Sequence, residues 1–302
     1  MFNANRLVFY YAVSPVHMGA GQATGAVDNP IQREVHTGHP VLAGSGIKGA
    51  VRHHLGADWG KDLVNRIFGP DRGSSDHAGA LAFTDAALVA FPVRSLRQTF
   101  VYATCPAALA RLKRLAGAAA AWDVPEVTEG TALLSGDRTV TKGRLVLEAF
   151  DFEAHAEHAA VADIAAWLSV NALPDGKDHE FFRNKLRDDL VVLSDAEFAH
   201  FARNATVVEP HVRIDSDTGT ASKGGLFYTE NLPPETLLAG LALASAERRA
   251  PGKDGDGVMQ AEDVLARVFA AGTGLGDALL QVGGDASTGR GLVVIHVAGG
   301  KA

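Results

Sequence analysis

The chain is predicted to fold as an α+β sheet covered by helices, and three observations carry that expectation. Apolar, strand-like runs are separated by helical patterns, an unusually long loop at residues 15–44 follows the first strand, and a glycine-rich turn precedes the last strand. A doubly wound sheet is the rival arrangement. Long loops are uncommon in compact domains unless they bind or react with something, so the first loop is the place to look for function.

Each element has a local reason. Leu7 to Val13 (LVFYYAV) is apolar, rich in Val and Tyr, and closed by Ser14 and Pro15, so it reads as a buried strand. Ser45 is positioned to cap a helix over residues 46–68. Its apolar face would be Ile47, Val51 and Leu55 and, after Gly56, Leu63, Val64 and Ile67; a break at residues 57–60 would split it. Residues 70–79 form a polar loop, and 80–90 and 100–103 have strand character. Pro106 opens a helix over residues 106–121, in the first turn where its missing N–H costs nothing. Residues 144–150 alternate as a strand, 161–173 and 261–271 read as helices, and 250–257 as a surface loop. The chain closes on strands at 279–282 and 292–297 around a glycine turn.

Composition bounds the function. With 302 residues and 47% hydrophobic content the chain can bury one large core with insertions. A single cysteine, Cys105, gives neither a disulfide framework nor a paired-cysteine metal site, which fits a reducing, cytoplasmic setting. No run approaches the roughly 20 apolar residues of a membrane helix, so no membrane partner is expected. The net charge of −7 resides in residues 151–200, which hold 11 acidic against 4 basic side chains. Residues 1–150 are net +3, from 15 basic and 12 acidic. A nucleic-acid groove on that part is therefore compatible with an acidic protein, whereas loose, purely electrostatic binding is not. The acidic window is expected to face away from any nucleic acid, toward a protein neighbour.

Several familiar motifs fail. Gly19 to Gly25 (GAGQATG) resembles a dinucleotide fingerprint, but its last spacing is one residue too long and Val27-Asp28-Asn29-Pro30 follows instead of a helix. Gly44 to Gly49 lacks the spacing of a phosphate-binding P-loop. His36 with His39, and His155 with His158, stand three apart without a third ligand at a recognised distance. No nucleophile-elbow serine is present.

Two segments survive. Around Ser45 a helix start flanked by Gly44 and Gly46 presents Lys48 and Arg52 four residues apart, a phosphate cradle or an ordinary amphipathic helix with solvated cations. The stretch Val282 to Gly291 (VGGDASTGRG) sets four glycines and Arg290 between two apolar strands, so backbone can approach a phosphodiester while Arg290 forks onto its oxygens. A plain tight turn would look the same.

GSGIKGAVR together with GGDASTGRG resembles the paired signature of the repeat-associated mysterious proteins (RAMPs), the RNA-binding subunits of CRISPR effector complexes. GAVDNPIQRE and VRIDSDTGTASKGGLFYTENLPPET look like the backbone subunit of the type III-B Cmr complex, and the matches extend from Pro15 to Gly291. The resemblance implies a single domain over residues 1–302, a modified RRM-like, ferredoxin-like palm. Its long insertions would be a catalytic and guide-binding loop at 15–44 and a β-hairpin thumb at 206–235. It implies copies arranged head to tail along a CRISPR guide RNA, complementary target RNA as substrate, and further Cmr subunits as partners, including a large polymerase-like subunit and small helical ones. Guide contacts would fall on Ser45, Lys48 and Arg52, and on Gly283, Gly284, Thr288, Gly289, Arg290 and Gly291. The thumb arms would be 207–214 and 226–231, with Arg213 and Lys223 reaching phosphates and an apolar residue wedging between nucleotides.

For chemistry the resemblance points to Asp28, aligned with a loop aspartate required for metal-dependent RNA cleavage. RNA brings its own nucleophile, the 2′-hydroxyl, so one carboxylate can accept its proton or hold a hydrated Mg²⁺ or another divalent cation. His17 in the same loop is a second catalytic candidate, ahead of Tyr228 and Glu230. Val-Asp-Asn-Pro is also a natural turn, which keeps open an architectural subunit without nuclease activity. A small-molecule phosphate-binding enzyme is the remaining alternative.

Overall fold

The computed structural model describes residues 2–21, 25–70, 77–248 and 257–299. Strand β1 (Ala4–Ala12) leads through the long loop and β2 (Val41–Leu42) into helices α1 (Gly44–Gly56) and α2 (Lys61–Phe68). Strands β3 (Leu81–Phe83), β4 (Ala86–Arg94) and β5 (Phe100–Thr104) precede α3 (Pro106–Ala116). Next come β6 (Thr131–Leu134), β7 (Arg144–Leu147), β8 (Phe150–His155), α4 (Ala159–Asn171), α5 (Lys177–Asp188), β9 (Leu190–Val192) and α6 (Asp195–Asn204). A hairpin, β10 (Val207–Ile214) and β11 (Ala221–Asn231), then leads to β12 (Leu237–Ala244), α7 (Ala261–Val268), β13 (Leu279–Gln281) and β14 (Leu292–Val297).

Strand order explains the architecture. The main sheet runs β13-β14-β1-β12-β4-β5-β9-β6-β8-β7. Its segment β14-β1-β12-β4 is antiparallel throughout. With α1 between β1 and β4 and α7 between β12 and β14, it has the order of a ferredoxin-like split βαβ. Residues 95–236, between the second and third strands of that unit, extend the sheet at one edge and raise the separate β10-β11 hairpin.

The apolar run in β1 is buried on both sides, as a strand covered on both faces must be. Val8, Tyr10 and Ala12 join one core with Ile47, Val51 and Leu55 of α1 and Val264, Leu265 and Val268 of α7. Leu7, Phe9 and Tyr11 join a second with Leu109 and Leu112 of α3, Ile164 and Leu168 of α4 and Leu186 of α5. The helix expected over 46–68 is two helices, broken at residues 57–60. The strand expected over 80–90 is also two, β3 and β4, and the loop expected at 250–257 lies almost wholly outside the described residues.

The expected cap is corrected. Ala43 occupies the N-cap of α1, and Ser45 stands exposed inside the first turn without a capping bond. The helix starts earlier because Asp85, at the head of β4, accepts from the Gly44 N–H at 2.8 Å. That carboxylate satisfies one orphan donor of the helix start and complements its partial positive charge. Gly44 is required there, since a Cβ would lie 2.2 Å from the Phe83 carbonyl oxygen.

Candidate nucleic-acid interface and cleavage site

The outer edge of β11 is the organising feature. Neighbouring backbone groups on one edge of a strand must find partners, and here the long first loop supplies them in order. The Tyr228 N–H donates to Asp28 Oδ2 at 2.8 Å. The Tyr228 carbonyl accepts from the Asn29 N–H at 3.0 Å, and the Glu230 N–H donates to the Asn29 carbonyl at 3.0 Å. The Glu230 carbonyl accepts from His17 Nδ1 at 2.7 Å. Leu232 and Val16 then exchange two backbone bonds at 2.9 and 3.0 Å. Asp28 and His17 thus hang from residues two apart in one strand, about 7 Å along its axis.

The two carry different chemistry. Asp28 is exposed and spends one oxygen, Oδ2, on the Tyr228 amide, which leaves Oδ1 for a ligand. His17 is half-buried, and because a carbonyl can only accept, its neutral ring carries the proton on Nδ1 and leaves Nε2 as the acceptor. Among the described residues no group of three or more His, Cys, Asp or Glu could hold a metal ion. A divalent cation at Asp28 would therefore need its remaining ligands from RNA oxygens and water.

The same loop joins the two glycine-bearing segments. The His17 carbonyl accepts from the Gly284 N–H at 2.8 Å, and the Pro15 carbonyl from the Gly291 N–H at 2.8 Å. Met18, next along, packs over Gly46, its Sδ 3.1 Å from where a Cβ would be. The start of α1, residues 17–18 and the turn at 283–291 are therefore packed in sequence against one another. Two glycines of the turn are sterically obligatory: a Cβ at Gly283 would lie 2.2 Å from the His17 carbonyl oxygen, and one at Gly291 2.1 Å from that of Val282. A Cβ at Gly289, with φ +79°, would meet nothing within 4 Å, one at Gly284 would meet only His17 at 3.5 Å or more, and Thr288 is exposed, so this part of the turn is open to a ligand.

The cations differ in availability. Lys48 is half-buried, with its pKa lowered by burial and secondarily by Arg52, and it makes no ion pair among the described residues. Arg52 turns toward α2, donating to the Gly69 carbonyl at 2.5 Å and to Asn65 Oδ1 at 3.1 Å. Arg290 donates to Glu209 Oε2 of the thumb at 2.6 Å. Arg213 and Lys223 project exposed from the hairpin. One hairpin face is apolar and open, with Val208, Val212, Leu226 and Tyr228 exposed; on the other His211 stacks on Phe227 at 5.3 Å.

Glu230 is a residue whose role sequence reasoning missed. Only 6% exposed, it accepts from Arg33 at 2.5 Å, from Thr206 Oγ1 at 2.8 Å and from the Ile31 N–H at 3.1 Å, which uses its carboxylate for structure. Glu209 and Asp85 were missed too, because each partner is far away in the chain and no local spacing announces it.

A ferredoxin-like palm that brings a helix start and a glycine turn together beneath a projecting hairpin defines the class. The chain belongs to the RAMP superfamily, whose family model matches residues 9–294. It is 32% identical to the CRISPR system Cmr endoribonuclease Cmr4 of Pyrococcus furiosus, over 96% of this chain and 94% of that one. With the CRISPR system CMR subunit Cmr4 of Saccharolobus solfataricus identity is 23%, over 80% and 84% of the two chains. Among solved structures, oligomeric Cmr4 from Pyrococcus furiosus superposes with a TM-score of 0.71 over 99% of both chains at 24% identity. A chain of the type III-B Cmr-beta complex bound to cognate target RNA gives 0.72 over 98% of both at 19% identity. At these identities the superpositions show the shared fold.

Proposed function

We propose that this protein is the backbone subunit of a type III-B Cmr effector complex, and that copies of it line up head to tail along a CRISPR guide RNA and cut the paired target RNA. The full-length likeness to a Cmr endoribonuclease supports the class of activity. The observation that carries the finer reading is the packing of the start of α1, which bears Lys48, and of the turn at 283–291 against the loop that hangs Asp28 and His17 on the β11 edge. The guide backbone would lie over the start of α1 and the turn, and a half-buried lysine without a carboxylate partner is the group most relieved by a phosphate. Base pairing, not side chains, would read the sequence. The complex would work in the cytoplasm with the large polymerase-like and small helical Cmr subunits as neighbours.

Cleavage is proposed to proceed by attack of the target's own 2′-oxygen on the adjacent phosphorus. The 2′-hydroxyl proton passes to Oδ1 of Asp28, the bond to the 5′-oxygen breaks, and the 5′-oxygen takes a proton from Nε2 of protonated His17. A 2′,3′-cyclic phosphate and a 5′-hydroxyl result. A divalent cation such as Mg²⁺, held by RNA oxygens and by Asp28 through water, would supply charge stabilisation.

The bond from Tyr228 to Asp28 also favours a second reading, in which Asp28 only shapes its turn and the subunit is architectural. Asp28→Asn separates the two because the amide oxygen keeps that bond. Cleavage by the reassembled complex is expected to fall about 10²- to 10⁴-fold, with guide binding and assembly unchanged. Undiminished cutting would reject the nuclease assignment.

A further inference from the structure

We propose that Glu209 is a built-in competitor of guide RNA, occupying the Arg290 guanidinium until a phosphate displaces it. The inference rests on the reading of the 283–291 turn as a guide-binding element. Arg290 is the one cation of that turn, whose exposed residues are otherwise glycines, Asp285, Ala286, Ser287 and Thr288, and its charge is met by a carboxylate from a different element, the thumb strand β10. The contact is single-pronged, Arg290 Nη2 to Glu209 Oε2 at 2.6 Å. The same oxygen also receives Asn231 Nδ2 at 3.4 Å and faces His211 Nε2 at 4.0 Å. Both partners are partly exposed, with side chains 24% and 30% accessible, so solvent and ligand reach the pair.

A carboxylate and a phosphate each offer a guanidinium a pair of anionic acceptor oxygens. One sits beside the other only against like-charge repulsion, so a phosphate loaded on Arg290 favours the departure of Glu209. Two consequences follow. The empty turn is shielded from casual anions, which lowers the apparent affinity for RNA by the fraction of molecules holding the pair. Displacement also cuts a tie between the thumb and the palm, so guide binding loosens the thumb from the turn.

The test is a four-way comparison of full-length protein binding a labelled single-stranded RNA, read by fluorescence anisotropy as a function of salt. Glu209→Gln, which keeps an acceptor for Asn231, is expected to bind about threefold tighter at fixed salt and to show a steeper salt dependence. Arg290→Gln binds more weakly, and the double variant matches Arg290→Gln, because there is nothing left for Glu209 to block. An equal gain from Glu209→Gln in both backgrounds would reduce Glu209 to general repulsion and overturn the proposal, as would no gain in the wild-type background. Unchanged binding by Arg290→Gln would overturn the guide-contact reading itself along with it.

Discussion

Arg33 and Glu230 close a clamp between the first loop and the root of the thumb, the guanidinium donating to the buried carboxylate at 2.5 Å across 197 positions of sequence. Arg33 also donates to the Gly38 and Ala202 carbonyls at 2.8 and 2.9 Å, which ties the loop to the end of α6. Removing one partner of a buried ion pair leaves the other charge uncompensated, which costs far more than the pair contributes as a whole. Glu230→Ala would also orphan the Ile31 N–H and the Thr206 hydroxyl. A loss of about 3 kcal/mol in unfolding free energy is expected from urea titration. Glu230→Gln, which retains acceptor oxygen, should lose less. A neutral effect of Glu230→Ala would mean that the loop is held by its backbone ladder alone.

Gly283→Ala tests whether the turn and the catalytic loop are one unit. The new Cβ would press on the His17 carbonyl oxygen, and φ of +74° is unfavourable for any residue with a side chain. Both effects push His17 away from Gly284. About 2 kcal/mol of destabilisation is expected, with cleavage lost more completely than guide binding. Gly289→Ala meets no neighbouring atom, so its cost is confined to the backbone angle.

At the start of α1, Asp85→Ala removes the only side-chain acceptor recorded at that terminus among the described residues. A lost cap typically costs ~1 kcal/mol. It also removes a negative charge from a helix start expected to meet guide phosphates, so a thermal melt should show a less stable protein while RNA binding at low salt becomes tighter. Weaker binding would argue that this helix end does not face the RNA.

How much of this was legible depended on whether the cause lay close by in sequence. The strand at Leu7 to Val13 and the broken helix after Gly44 announce themselves through continuous burial and helical spacing. Strands β6 and β9, with 4 and 3 residues, carry no periodicity of their own and exist because neighbouring strands accept them. Helix α5 shows no apolar stripe, since only Lys185 and Leu186 are buried along it. Helix α6 did offer a signal, the Ser194 and Glu197 capping box, that spacing alone could have revealed. In the site, Asp28 and His17 were nameable as chemical groups, and the glycine turn as an unusual backbone. Their common suspension from β11 was not readable, because it joins residues roughly 200 apart through backbone atoms that every residue type shares.

His39 should make the first loop sensitive to acid. Its ring is 4% exposed and packs edge-on against Phe198 at 5.1 Å. Burial lowers its pKa, with Arg111 and Arg203 acting in the same direction and Glu34 and Asp195 opposing. The sign follows from proton counting: below the ordinary histidine range the unfolded chain takes up a proton that the folded chain refuses, so stability is full at higher pH and declines as pH falls. Loop residues 34–39 should loosen first, since Glu34 N–H bonds the His39 carbonyl at 2.9 Å and its carboxylate receives Arg111 at 2.6 Å. Thermal midpoints of wild type and His39→Leu, compared between about pH 7.5 and pH 5, should show a shallower decline for the variant. Parallel declines would assign the acid sensitivity to other groups and leave His39 as a packing residue only.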